Sequence, residues 1–274
     1  MNKSEIDIGV TDELSLRVSV GVLVKVLFEN PENRQTMLAF ERTATLREIN
    51  GKPEVIVKTK PFGGAIRVIN GQALKERIGN FHYDSERSWQ EKDFRILVHP
   101  DSWEKIKKIC MDLKETGEGI LDISPDRELL EEFEDCLKIK VSPKQYNLKY
   151  KGTAVDNFAS ETDNVHAQGL STFRIYYLFE AGINSSEIIK LMMDSSRQYS
   201  DNDLKKIALE EARNGGKGRA NASFTINMDD LIAFYHSIPD NMLSGLIQFK
   251  EHQLEENVAA VLEEIDHPKY KRYH

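Results

Sequence analysis

Val, Leu and Ile alternate with small or polar residues over 16–28 (LRVSVGVLVKVLF), a pattern that predicts a largely buried strand. ENPENRQ (29–35) has the composition of a turn, and TMLAFERTA (36–44) predicts a second strand. After the Asn50-Gly51 turn, PEVIVKTKPF (53–62) predicts a third strand ending at Pro61, followed by the tight pair Gly63-Gly64 and the short strand AIRVI (65–69). The first quarter therefore reads as a β meander with a glycine pair at its exit.

Beyond it the period changes. Residues 70–93 are polar and poorly periodic, a helix fragment with a loop; FRILVHP (94–100) predicts a strand, and SWEKIKKICMDLKE (102–115) a helix ended by Gly117 and Gly119. Ser124-Pro125-Asp126 has the chemistry of a helix start, with a capping serine, proline at the first helical position and an acid in the first turn; the helix should reach about Ile139. Residues 140–170 are mixed. STFRIYYLFEAGI (171–183) predicts a strand, 185–196, 200–213 and 228–238 helices, and 241–265 a long amphipathic helix with a frayed basic tail, HPKYKRYH. Strands first and helices later define an α/β chain.

Charge sharpens this picture. The 274 residues carry 45 Asp and Glu against 37 Lys and Arg, a net charge of −8, which argues against a general grip on nucleic-acid backbone. No run approaches the ~18 apolar residues of a membrane helix, and MNKSEIDIGV lacks a signal-peptide layout, so a cytoplasmic protein with no membrane partner is expected. Two cysteines, Cys110 and Cys136, are too few for a disulfide framework and read as reduced thiols. The seven histidines form no H-x-x-x-H or H-x-H pair.

The acid excess is concentrated. Residues 126–135 hold six carboxylates against Arg127 alone, a net of −5. At ~100° per residue, Glu128, Glu131, Glu132 and Asp135 share one face of the helix, while Leu129, Leu130, Phe133 and Leu137 occupy the other. Like charges three or four residues apart cost roughly 0.2–0.5 kcal/mol per pair, a cost that a hard divalent cation would reverse. The plain alternative is a solvated acidic face.

Arg127-Glu128-Leu129-Leu130-Glu131-Glu132 reads R-E-x-x-E-E, and with the preceding Lys60-Pro61-Phe62-Gly63-Gly64 turn the chain resembles the Nudix superfamily. The resemblance implies an α/β/α sandwich with a mixed sheet, here over 16–240, preceded by an N-terminal segment (1–15) and followed by a C-terminal helix and tail (241–274). It also implies that Glu128, Glu131 and Glu132 hold Mg²⁺ (or Mn²⁺) against a diphosphate, with Arg127 orienting Glu131, and that a metal-activated water attacks phosphorus in a nucleoside diphosphate-linked substrate. Two departures stand out. Sixty-two residues separate Gly64 from Arg127, far more than the family's box contains, which implies an insertion at about 70–120; and Glu134 stands where the family has a helix-ending glycine.

A diphosphate needs cations, and Arg42, Lys58, Lys60 and Arg67 flank the glycine pair along the meander. Gly63 and Gly64 allow close approach of backbone and ligand. Glu180, ending TFRIYYLFE, would supply a further carboxylate as ligand or general base. Each has an ordinary reading as a solvated strand residue. NGGKGR (214–219) lacks the G-x-x-x-x-G-K-[ST] spacing and reads as a mobile basic loop. The competing functional class is a non-catalytic Nudix-like nucleotide sensor, as in bacterial nucleotide signalling or defence; a third is a homo-oligomer scaffold built on the C-terminal helix.

Overall fold

The computed structural model describes residues 14–49, 51–112, 119–160, 167, 169–239, 242–243 and 245–274. The N-terminal segment up to residue 13, Asn50, and the expected helix end at Gly117 lie outside the described residues.

Strands β1 (Leu16–Glu29), β2 (Thr36–Ile49) and β3 (Lys52–Lys60) form the expected meander, with Val26 opposite Ala39 and Ile49 opposite Lys52. Next come β4 (Arg67–Val68), α1 (Gly71–Ile78), β5 (Phe81–Tyr83), α2 (Glu86–Glu91), β6 (Arg95–Val98), α3 (Trp103–Met111) and β7 (Leu121–Asp122). Then follow α4 (Pro125–Leu137), β8 (Tyr146–Asp156), β9 (Ser171–Ile183), α5 (Ser186–Gln198), α6 (Asp201–Arg213), β10 (Arg219–Asn227) and α7 (Met228–Ser237). The chain ends with β11 (Ile247–Phe249), β12 (His252–Leu254), α8 (Asn257–Ala260) and β13 (Tyr270–Tyr273).

The fold is α/β, built on one mixed, strongly curled sheet in the order β11-β12-β3-β2-β1-β9-β8-β13, with β10 joined to β2 and the β5-β6 pair joined to β1. β1 runs parallel to β9 from Leu16↔Ser171 to Leu27↔Gly182. Both faces of β1 are covered, which is why it reads as a nearly unbroken apolar run. Val18, Val20, Val22, Val24 and Val26 pack with Leu129 and Phe133 of α4 and Ile188 and Met192 of α5. On the opposite face Leu23 joins Phe40, Leu178, Leu231, Tyr235 and Leu262. No helix among the described residues is long and apolar enough to cross a membrane.

The stretch from 69 to 120, expected to be an insertion, returns to where it leaves. β4 pairs with β7 (Arg67↔Asp122), and the Ile69 amide donates to the Ile120 carbonyl at 2.8 Å, so its two ends are adjacent. It is also built into the core: β6 pairs with the first turn of β1 (Leu16↔Val98, Ser19↔Arg95), and Leu74, Ile78, Ile96 and Ile106 are buried. Residues 70–93, expected as a helix fragment and loop, form two capped helices and a strand.

The expected 241–265 helix is not formed, and the tail is not frayed. Gly245 and Lys250 both take positive φ (79° and 52°), which breaks the segment into a β11–β12 hairpin and the short α8. The presumed apolar stripe splits accordingly: Leu246 is exposed while Ile247, Phe249, Leu254 and Val258 are buried. Tyr270 to Tyr273 then add an edge strand to β8 (Tyr270↔Asp156). The long helix expected as an oligomer contact is therefore not formed, and Leu243, Ile247, Leu254, Val258, Val261 and Leu262 pack into their own chain.

Candidate functional site

The stretch from Phe62 to Ile66 runs along the middle of β1, between the parts of that strand paired with β2 and β6. Val24 and Val22 donate to the carbonyls of Phe62 and Gly64, both at 2.8 Å, and Ile66 donates to Val20 at 3.1 Å. Only glycine fits at 63: its φ is 136°, and a Cβ there would lie 2.1 Å from the Val22 carbonyl oxygen. α4 packs over this turn through an edge-on contact of Phe133 with Phe62, ring centres 5.0 Å apart.

α4 starts at Pro125 as expected, but the Ser124 hydroxyl donates to Asp122 Oδ1 at 2.5 Å instead of capping the helix. Its end is sharper than expected: Lys138 takes a left-handed conformation (φ 58°) and closes the helix after Leu137. The helix is thus ended by a lysine six residues past Glu132.

The three glutamates divide between two cations, Arg127 and Lys60. Glu128 is buried directly over Gly64, with Arg127 Nη2 2.5 Å from its Oε1. Burial pushes its carboxyl above the usual range, against the pull of Arg127 and Arg67. Glu131 is exposed and meets only Arg127, at 3.4 Å. Glu132 turns to the sheet, 3.6 Å from Lys60 Nζ.

Lys60 leads to a residue the sequence reading missed. Its Nζ lies 2.5 Å from Oε2 of Glu41, a fully buried carboxylate on β2 directly opposite Lys60 in the ladder. Glu41 Oε1 also accepts from Thr43 Oγ1 at 2.6 Å and from Arg219 Nη2 at 3.0 Å. Burial alone would raise Glu41, but Lys60 outweighs it and holds the carboxylate ionised; Glu132, half-buried beside Glu41, is pushed well up by desolvation. Lys60 is held protonated because Glu132 and Glu41 outweigh its burial. The signal for Glu41 was present in TMLAFERTA: the period of two puts Ala39, Glu41 and Thr43 on one face, and Ala39 is core.

Arg219 closes the NGGKGR stretch, which is anchored and not a free loop. The Glu211 carboxylate accepts from the amides of Lys217 and Arg219, each at 2.8 Å, and the Gly218 carbonyl accepts from Leu46. Arg219 Nε also donates to Asn221, which reaches Asp135 of α4 at 3.3 Å.

Comparison with protein-family models and with curated proteins returned no match. The site is therefore read from its own geometry.

Of the expected cations, Lys60 and Arg67 flank the box helix, and Arg42 and Lys58 do not serve it. Arg42 follows Glu41 and so points through the opposite face of β2, buried against Asp201 at 3.3 Å and the Tyr199 carbonyl. Lys58 shares the Lys60 face but pairs with Glu255 at 3.7 Å. Arg67 acts electrostatically on Glu128, and its Nε is buried without an acceptor, as is Arg127 Nε. Glu180 is also misplaced. It lies beside Lys25 on the sheet face away from α4 and pairs with Lys151 at 3.8 Å, because Val24 and Val26, its neighbours in the ladder, take the α4 face.

Mg²⁺ is usually held by one or two carboxylates together with substrate phosphates and waters. Here the carboxylates are already met by side-chain cations: Glu128 and Glu131 pair with Arg127, and the Lys60 ammonium stands between Glu132 and Glu41. Among the described residues no three His, Cys, Asp or Glu side chains form a metal-ligand set.

Proposed function

We propose that this chain is a Nudix-like module that binds a nucleotide-type ligand, with a phosphate group held at the junction of the Gly63-Gly64 turn and α4. One observation carries the reading: Gly64 and Glu128 are in contact across 63 intervening residues, and beside them Arg67 Nε and Arg127 Nε are buried donors without acceptors. Buried unpaired donors are costly, and a phosphate oxygen would satisfy both. Since Lys60 is already committed to two carboxylates, Arg67 and Arg127 are the phosphate contacts. The cytoplasm is the proposed place of action, a reading supported by two free, buried thiols.

A second reading is Mg²⁺-dependent hydrolysis of a nucleoside diphosphate-linked substrate. The observation favouring it is the order R-E-x-x-E-E on a helix facing the glycine turn.

Calorimetry with ADP and with inorganic pyrophosphate, in EDTA and in Mg²⁺, separates the two. Binding that persists in EDTA, disappears in Arg67→Ala and produces no phosphate supports the binding module. Phosphate release that needs Mg²⁺ and is lost in Glu132→Gln supports the hydrolase. Absence of both binding and turnover overturns both readings.

A further inference from the structure

We infer that Lys60 Nζ is the resident cation of this site, held between Glu41 and Glu132 where a divalent metal would otherwise bridge them, and that it makes the site independent of metal. The inference deepens the metal-free reading above and rests on it.

Four charged groups from four elements meet here: Glu41 from β2, Lys60 from β3, Glu132 from α4 and Arg219 from β10. Glu41 is completely buried, so its charge needs a fixed partner. Lys60 supplies it at 2.5 Å and reaches Glu132 at 3.6 Å with the same nitrogen. Without Lys60, the buried Glu41 and the half-buried Glu132 would share one arginine, and a cation with oxygen preference would be the natural replacement. With Lys60 in place, an incoming divalent ion meets an ammonium within contact distance and is repelled. The register sets this geometry: Glu41 lies directly opposite Lys60 in the β2–β3 ladder, which brings their side chains together.

The test uses Mn²⁺ as probe, followed by loss of the free-ion paramagnetic resonance signal, with wild type, Lys60→Met and Lys60→Met/Glu41→Gln. Circular dichroism confirms the fold of each. Lys60→Met should bind Mn²⁺ about tenfold or more tighter than wild type, the scale of removing one like charge a few ångströms away, and the double variant should return to the wild-type value. Equal Mn²⁺ affinity in wild type and folded Lys60→Met overturns the inference.

A second measurement needs no variant. In the wild-type protein Lys60 should resist acylation by an activated ester, read by mass spectrometry, equally with and without millimolar Mn²⁺. If Mn²⁺ makes Lys60 reactive, the metal displaces it and the inference fails. Pyrophosphate calorimetry, run in parallel, reports on the binding-module reading by itself: Mn²⁺ results as expected with no pyrophosphate binding would overturn that reading and leave the role of Lys60 standing.

Discussion

Glu128 occupies the space that a side chain at residue 64 would need: a Cβ on Gly64 would lie 1.9 Å from Glu128 Oε2. The glycine exists so that a buried carboxylate can lie on the turn. The obstruction at 64 is the end of a flexible side chain, whereas at 63 it is the Val22 backbone. Gly64→Ala should therefore cost about 1–2 kcal/mol through displacement of Glu128. In a double-mutant cycle with Glu128→Ala, roughly 1 kcal/mol or more of that cost should vanish. Gly63→Ala should cost about 2 kcal/mol or more and gain nothing from Glu128→Ala, because the carbonyl and the positive φ remain. Urea denaturation of wild type and the five variants measures all of this, and equal rescue at both positions would contradict the geometry.

On the opposite face of the sheet, Asp156 is fully buried beside Arg174 and Lys269, with Glu256 nearby; burial pushes its carboxyl up to about 7. The folded state therefore keeps a proton that the unfolded chain releases near pH 4, so stability falls as pH rises from about 4 to 7 and stays lower above that window. Glu128 and Glu132, pushed up likewise, add slope of the same sign, while Glu41, held down, adds the opposite sign at lower pH. Asp156→Asn should flatten the slope between pH 5 and 8 without abolishing it. Urea midpoints at those two pH values are the measurement, and an unchanged slope in the variant would refute the assignment.

The C-terminal strand is structural. Tyr270 and Lys269 are buried, and Arg272 Nη2 donates to the Ala259 carbonyl at 3.0 Å. Removing residues 269–274 should lower the unfolding free energy by at least the roughly 1.5–3 kcal/mol of one large buried side chain. A frayed tail would leave the thermal midpoint unchanged.

Both thiols should be inert in the native protein. Burial pushes Cys110 up to about 12 and Cys136 well above its usual range, so neither carries thiolate at neutral pH. Iodoacetamide at pH 8 should label no cysteine in the folded chain and two in urea; native labelling of Cys136 would show that α4 opens readily.

The sequence by itself determined the elements whose pattern is local. β1, the meander, α4 and β9 were legible because burial on a strand or helix imprints a period on the residues that make it. It also carried the R-E-x-x-E-E helix and the glycine pair, and placed Arg127, Glu128 and Glu132 on α4. Local pattern misled where long-range packing decides. Leu243, Ile247, Leu254 and Val258 suit a helical stripe as well as they suit a hairpin and a turn, and the positive φ at Gly245 and Lys250 chose between them. Tertiary structure alone decided that the ends of the 69–120 stretch meet at β4 and β7, which brings Gly64 under Glu128. It alone decided the faces: Arg42 and Glu180 lie one residue from the useful side of their strands, and a period of two sends them through the sheet. Glu41 and Arg219 emerged for the same reason. A carboxylate's partners are set by which strands pair and in what register, and neither is written in the spacing of one segment.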